Sequence, residues 1–176
     1  RKAGEQATVM EFIAKVREAL AGRVRLKVDD RDQYTPGWKY NEHELRGVPL
    51  RLESGPRDVA QGAVMCGRRD TRAKESIPIG ALAERIPALL DDIQRGLFEA
   101  ARAFRDANTT PVSSMADLES HFASSRGFVA FPWNGSPGIE AQIKERTGAR
   151  LRCIPLDGAR FGHGGSDPVA LFARAY

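Results

Sequence analysis

The spacing of apolar residues along this chain changes repeatedly between a helical and a strand-like period. Residues 9–20 carry apolar side chains at helical spacing, and Gly22 follows them as a helix stop. Strict alternation then predicts strands at 23–29 and around Leu50 and Leu52. A chain in which helices alternate with short strands packs its helices on a sheet, so this pattern predicts an α/β fold.

The remaining elements follow the same alternation. Thr35 can cap a helix that has Pro36 at its first position and Gly47 after its end. We further expect strands at 61–68, 128–132, 150–154 and 169–176, an extended edge segment at 77–79, a Gly-Pro turn at 55–58, and helices at 115–125 and 137–147. A long helix should run to about Ala107, kinked or restarted at Pro87. Its predicted apolar stripe consists of Leu90, Ile93, Leu97, Ala101 and Phe104.

The polar segment 108–114 (NTTPVSS) has no period and is interpreted as a linker. It divides the chain into domains at 1–108 and 109–176, of which the smaller second domain should lean on the first for burial. The full prediction is an α/β chain in which a mixed-sheet domain flanked by helices precedes a small α+β domain. A unit of this kind usually opens with a strand, so we infer that the first strand is missing and that the chain is cut from a longer protein.

Composition excludes some classes of protein. The chain has 176 residues, of which 41% are hydrophobic, enough for a core and against global disorder. The net charge of +4 permits a polyanionic partner without requiring one. No apolar run is long enough for a transmembrane helix, and no signal peptide opens the chain. Cys66 and Cys153 lie far apart and form no local metal pattern, which favours two reduced thiols in the cytoplasm.

No catalytic motif stands out in these residues. The sequence around Gly164 lacks the Lys and the Ser or Thr of a phosphate-binding loop. His43, His121 and His163 are scattered and lie beside no Ser or Cys at hydrolase spacing. We interpret them as ordinary surface or half-buried residues and predict no catalytic residue in this chain.

The segment 35–58 contains the most informative chemistry. Arg51 and Glu53 share one face of a predicted strand, and Arg57 and Asp58 follow the Gly-Pro pair. Arginine can donate two hydrogen bonds to a guanine edge, and a carboxylate can accept from a base amine. Taken singly, each of these charges more often belongs to a solvated surface than to a binding site, so no one residue here establishes a binding function.

Three motifs in this segment, PGWKYNE (36–42), ELRGVPLR (44–51) and GPRD (55–58), resemble those of the anticodon-binding domain of prolyl-tRNA synthetases of the archaeal and eukaryotic type. The resemblance extends to DDR (29–31), RRDT (68–71) with Lys74, RCIP (152–155) and FARAY (172–176), and so covers essentially the whole chain. The family usually has Trp at the position of His43 and Lys at that of Arg46.

This resemblance implies the tRNA-recognition portion of a proline–tRNA ligase, a class II synthetase that joins proline to its tRNA. The catalytic domain, which uses ATP and Mg²⁺, would lie upstream, and the whole enzyme would be a cytoplasmic homodimer with no membrane association. The residues implied at or near the anticodon of tRNA(Pro) are Glu44, Arg51, Arg57 and Asp58, with Lys39 and Lys74 at phosphates and Tyr34, Trp38 or Tyr40 as stacking partners. The carboxylate of Tyr176 would approach the catalytic domain.

Many relatives bind zinc through four cysteines in the C-terminal domain. The matching positions here are Asn134, Ile139, Phe161 or Gly162, and Gly164, none of which is Cys, so we predict a zinc-less domain. The alternative function is a stand-alone, non-catalytic tRNA-binding or regulatory module with the same fold. Class II motifs upstream would favour the synthetase, and a start codon just before Arg1 would favour the module. An unrelated small α/β enzyme has no motif in its favour.

Overall fold

The computed structural model describes residues 3–156 and 169–175. The chain divides into two compact units, Arg1–Leu97 and Phe98–Tyr176, and the helix α4 runs through the division. The expected fold class, a mixed α/β unit followed by a small α+β unit, is confirmed. No helix in the described residues combines the length and apolar character needed to cross a membrane.

The first unit packs helices against a three-stranded sheet. Its elements are α1 (Ala3–Leu20), α2 (Pro36–Leu45), β1 (Leu50–Glu53), α3 (Pro56–Gln61), β2 (Ala63–Arg68), β3 (Lys74–Pro78), a 3₁₀ turn (Ile79–Ala81) and α4 (Leu82–Ala107). The strand order is β1-β2-β3 and both pairings are antiparallel. The register places Arg51 opposite Gly67, so no side chain on β2 occupies the space beside the Arg51 guanidinium.

The core of the first unit joins two helices, α1 and α4, and the sheet. Its buried members are Phe12, Val16, Leu20, Val64, Cys66, Ile77, Leu82, Ile86 and Leu89. Burial also raises the pKa of the Cys66 thiol to about 11, so this cysteine is a packing residue. Leu50 and Leu52 of β1 pack against this core, which fixes the strand that carries Arg51.

Local sequence signals set the bounds of α2. The Thr35 hydroxyl accepts a hydrogen bond from the Trp38 backbone N–H, and Pro36 occupies the first helical position. Gly47, with φ of +84°, ends the helix in the left-handed conformation that glycine adopts without a steric penalty. This turn sends the chain directly into β1, as the sequence predicts.

The predicted strand at 23–29 is wrong, because residues 24–31 have no strand partner in the described part of the chain. A strand is stable only when its backbone N–H and C=O groups are paired in a ladder. A groove of about 1140 Å³ runs along this segment and is lined by residues of α1, β1 and the segment itself. Apolar alternation in the sequence therefore does not by itself show that a segment has a strand partner.

Two further local predictions need correction. The predicted turn at 55–58 forms the start of the short helix α3, in which Asp58 accepts a hydrogen bond from the Gly55 N–H at 2.8 Å. The helix α4 continues through Pro87 without interruption. The C-terminal part of its predicted stripe is exposed, with Leu97 at 52% and Phe104 at 72%.

The second unit is a four-stranded sheet with two helices. After α4 come β4 (Thr109–Pro111), α5 (Met115–Ser124), β5 (Phe128–Pro132), α6 (Pro137–Thr147), β6 (Ala149–Cys153) and β7 (Val169–Arg174), in the strand order β4-β5-β7-β6. The interpretation of 108–114 as a linker is thus wrong for its centre, since β4 pairs with β5 in parallel. Phe122 and Phe172 are the largest side chains fully buried in this unit.

Candidate nucleic-acid interface

The end of α2 and the start of β1 bring two oppositely charged side chains together. Arg51 donates from Nη1 to Glu44 Oε1 at 3.0 Å and from Nε to Glu53 Oε1 at 2.8 Å. The turn at Gly47 makes this possible, because it folds β1 back beside the helix end. Two of the residues predicted to recognise the anticodon, Glu44 and Arg51, therefore lie in direct contact.

The guanidinium of Arg51 is held from several sides. Its central carbon lies 4.0 Å from the centroid of the Tyr40 ring, a cation–π distance. Across the sheet it lies against Gly67, where a Cβ would come within 3.1 Å of Arg51 Nη2. The Arg51 side chain is 25% exposed, so part of it remains accessible to solvent. Tyr40 thus supports Arg51, which makes it a poor stacking surface for a base.

Two cations near the turn between β2 and β3 contact the same carboxylates. Lys74, at the start of β3, is expected from the sequence, whereas Arg72 in the turn is not. Arg72 Nη1 donates to Glu44 Oε2 at 2.5 Å, and Lys74 Nζ donates to Glu53 Oε1 at 3.2 Å. The hydrogen bond from Arg72 is the main cause that lowers the pKa of Glu44, so this carboxyl is ionised at neutral pH. Sequence reasoning missed Arg72 because it lies 28 residues from Glu44.

A second polar network ties α2 to the extended segment before it. Arg31 donates to both carboxylate oxygens of Asp29 and to Glu42 Oε2, and the Asp29 Oδ2 also lies 2.9 Å from His43 Nε2. The hydrogen bond from Arg31 holds the pKa of Asp29 well below its usual range. Lys39 donates from Nζ to the Asp29 backbone carbonyl at 3.2 Å. The Lys39 ammonium thus makes a hydrogen bond within the protein, and its side chain is only 18% exposed.

Asp29, Glu42 and His43 are also close enough to one another to suggest a metal centre. Arg31 Nη2, however, contacts both Asp29 and Glu42, at 2.7 and 2.5 Å. The Arg31 guanidinium therefore already neutralises the two carboxylates that a metal ion would bind. The arrangement is that of an ion-pair network.

The aromatic pair at the start of α2 forms an exposed platform. The rings of Tyr34 and Trp38 stack with centroids 3.9 Å apart and an angle of 10° between their planes. The Arg31 guanidinium lies 4.9 Å from the Tyr34 ring centroid and 5.4 Å from that of Trp38. Tyr34 is 37% and Trp38 44% exposed, so apolar ring surface remains available to a ligand.

Arg57 and Asp58, the other residues predicted at the anticodon, differ in whether the protein already uses their side chains. Arg57 is exposed on the first turn of α3 and can reach a ligand without rearrangement. Asp58, beside it, uses Oδ2 to bind the Gly55 N–H, so at least one of its oxygens has a structural use.

In the second unit, Asn134 and Ile139, which the resemblance matches to zinc-binding cysteines, have ordinary structural functions. Asn134 Oδ1 accepts from the Ser136 N–H at 3.1 Å, and Ile139 packs against the core. The positions 161, 162 and 164 lie outside the described residues, as does Tyr176, so the predictions for them have no structural counterpart here.

Comparison with known proteins agrees with these observations. The family described as "Anticodon binding domain" matches residues 2–89, and "Prolyl-tRNA synthetase, C-terminal" matches residues 115–176. The chain belongs to the prolyl-tRNA synthetase family. It corresponds to the anticodon-binding and C-terminal domains of the archaeal and eukaryotic type, which confirms the resemblance seen in the sequence.

Individual relatives cover almost all of this chain. It is 45% identical to a "Proline--tRNA ligase" of Chloroflexus aggregans over 98% of its length, and 40% identical to "Proline--tRNA ligase 2" of Clostridioides difficile over 99%. The prolyl-tRNA synthetase of Cryptosporidium parvum, solved with L-proline and AMP, superimposes with a TM-score of 0.80 at 33% identity, covering 96% of this chain and 38% of that one. The chain spans only 37% to 38% of the length of these synthetases.

Proposed function

We propose that this chain is the tRNA-recognition portion of a proline–tRNA ligase and that the surface around Glu44 and Arg51 recognises the anticodon of tRNA(Pro). The observation that supports this most directly is the contact between these two side chains. One offers a forked set of donors and the other a pair of acceptors, and together they complement the two edges of guanine. Family membership supplies the choice of anticodon, whose second and third letters are guanine.

Anticodon bases lie in a single-stranded loop, so their edges and faces are open to side chains. Arg51 would donate to O6 and N7 of one guanine, and Glu44 would accept from the imino and amino groups of the other. Trp38, with Tyr34 behind it, would stack on a neighbouring base, an interaction that tolerates any base. The site thus separates sequence-specific contacts at Glu44 and Arg51 from a non-specific stacking surface.

The remaining contacts would orient the loop. Lys74 would meet phosphates, which position RNA without specifying its sequence. Arg57, exposed on α3, would contact the anticodon. Asp58 would use whichever oxygen is not bound to Gly55. Lys39 would have to leave Asp29 to reach a phosphate, so we assign it mainly a supporting function within α2.

The test is a comparison of two tRNAs. Arg51→Ala should reduce the preference for tRNA(Pro) over a version with an altered anticodon guanine by roughly five- to a hundredfold, because a lost bidentate contact costs about 1–3 kcal/mol of discrimination. The measurement is equilibrium binding of both tRNAs at one salt concentration. Arg46→Ala is the matched control, since Arg46 is a 61% exposed cation that directly follows α2 and pairs with Glu42. It should weaken both tRNAs equally.

An equal loss for both tRNAs in Arg51→Ala would make Arg51 a phosphate or structural residue. Absence of binding by the unmodified chain would reject the proposed function as a whole.

For the whole protein we propose ATP-dependent attachment of proline to tRNA(Pro), with Mg²⁺ bound beside ATP in an upstream catalytic domain. A cytoplasmic homodimer is the corresponding assembly. The Tyr176 carboxylate would approach that catalytic domain. Deletion of Ala175 and Tyr176 from the whole enzyme would then lower aminoacylation more than tRNA binding.

A further inference from the structure

Arg72 has an unusual backbone conformation. Its φ is +62°, and among the described residues it is the one residue other than glycine with a positive φ. An arginine in this region pays a steric cost that glycine avoids. Non-glycine residues held in such conformations cluster at functional sites. The contact made by the Arg72 side chain is therefore of particular interest.

That side chain reaches from the β2–β3 turn to α2. Arg72 Nη1 donates to Glu44 Oε2, while Arg51 donates to Glu44 Oε1. The carboxylate is thus held at both oxygens by guanidinium groups from two separate elements. An ionised carboxylate has about four lone-pair positions, so roughly two remain for a ligand. The Glu44 side chain is 21% exposed, which leaves room for that ligand.

We propose that Arg72 is a positioning residue for guanine recognition, which fixes the plane of the Glu44 carboxylate so that its remaining lone pairs face the guanine edge. This inference rests on the proposed function. Two adjacent N–H donors of guanine require both acceptors in one orientation, whereas adenine would present an acceptor to the carboxylate. A carboxylate held by Arg51 alone would rotate and lose part of this selectivity. Arg72 acts through Glu44 and touches no base.

The strained backbone offers a variant that tests this without unfolding the protein. Arg72→Gly removes the guanidinium and places glycine where φ is positive, so it should melt at or above the wild-type temperature. The pair itself adds little stability, since the Arg72 side chain is 71% exposed. Arg72→Lys retains a cation but not the planar fork.

The experiment measures binding of tRNA(Pro) and of a version with one anticodon guanine changed to adenine. Arg72→Gly should reduce the ratio of the two affinities by roughly three- to tenfold, the range typical of coupled neighbouring residues. Arg72→Lys should reduce it less. Arg46→Ala removes the same charge from the same region and should leave the ratio unchanged.

A double variant separates positioning from direct contact. If Arg72 acts through Glu44, then Arg72→Gly should have no further effect on the ratio once Glu44→Gln is present. A further drop in that background would show a direct base contact and overturn the inference. An unchanged ratio in Arg72→Gly, or an equal loss for both tRNAs, would also overturn it while leaving the proposed function intact. Failure of the wild-type chain to discriminate would reject both.

Discussion

At the scale of single residues, the space beside Arg51 determines where its guanidinium can lie. Gly67 faces Arg51 across the antiparallel pair, and the absence of a side chain there lets the guanidinium lie flat between the sheet and the Tyr40 ring. If β1 and β2 paired in another register, Gly67 would not face Arg51 and the guanidinium would lack this space. A small residue on one strand thus fixes a large one on the next.

Substitution of Gly67 should therefore change recognition more than stability. Gly67→Ala adds a Cβ within 3.1 Å of the Arg51 Nη2, and Gly67→Val adds two methyl groups that suit a strand but push Arg51 further. We expect the anticodon preference to fall in the order glycine, alanine, valine, with valine lowering it roughly two- to tenfold. Alanine should keep or raise the melting temperature, since glycine weakens strands by about 0.5–1 kcal/mol.

The measurement combines thermal unfolding with the two-tRNA binding assay. Gly62→Ala is not a matched control, because Gly62 has a positive φ; Gly80→Ala, in open space and remote in sequence, serves instead. Full discrimination by Gly67→Val would mean that Arg51 does not need its present position.

At the scale of elements, the network around Asp29 joins the extended segment before α2 to the helix itself. Arg31, Lys39 and His43 all contact Asp29, so this short segment is anchored by polar contacts in place of a strand ladder. The orientation of α2, and with it Glu44 and the Trp38 platform, depends on these contacts.

This network should make the first unit sensitive to acid. The pKa of Asp29 is lowered in the folded state, chiefly by the hydrogen bond from Arg31. In the unfolded chain this carboxyl has a pKa of about 4, so as the pH falls it is protonated in the unfolded state before it is protonated in the folded state. The contribution is fully present above that pH and is lost progressively below it. Asp29→Asn should lower the melting temperature at pH 7 and make its acid dependence shallower.

Fluorescence can follow this unfolding specifically. The chain has two tryptophans, so a Trp133→Phe background leaves Trp38 on α2 as the reporter. The exposed neighbour Asp30, changed to Asn, is the control and should keep the wild-type profile. Equal acid dependence in Asp29→Asn and wild type would contradict this function of the network.

At the scale of the whole molecule, the second unit has an apolar core of its own. Leu118, Phe122, Val129, Ile143 and Phe172 fill the space between α5, α6 and the sheet. A structural zinc site contributes directly to folding where it is present. Without zinc, as the residues Asn134 and Ile139 predict, apolar packing would have to supply that contribution.

We accordingly expect no stoichiometric zinc in the purified chain and no change in melting temperature on addition of a chelator. Elemental analysis and thermal unfolding with and without chelator are the measurements. Cys153 is exposed and could bind metal adventitiously, so the Cys153→Ser variant is the control. One zinc per chain that survives in this variant, with a large chelator-induced drop in melting temperature, would refute the prediction.

The sequence by itself determined the features that depend on near neighbours. Thr35, Pro36 and Gly47 define α2 through caps and backbone preferences, and these act within a few residues. The ordered motifs of 36–58 likewise identified the family, because a long ordered match is specific even where single charges are not.

Only the tertiary structure decided which distant side chains meet. The strand predicted at 23–29 did not form, since strand stability depends on a partner that alternation cannot reveal. The sequence did not predict that Arg72 donates a hydrogen bond to Glu44, or that Lys39 donates one to the Asp29 backbone carbonyl. Each of these contacts depends on sheet register and turn geometry, which arise from packing across the whole unit. For that reason the sequence was enough to identify the family, while the arrangement of charges that would recognise guanine required the tertiary structure.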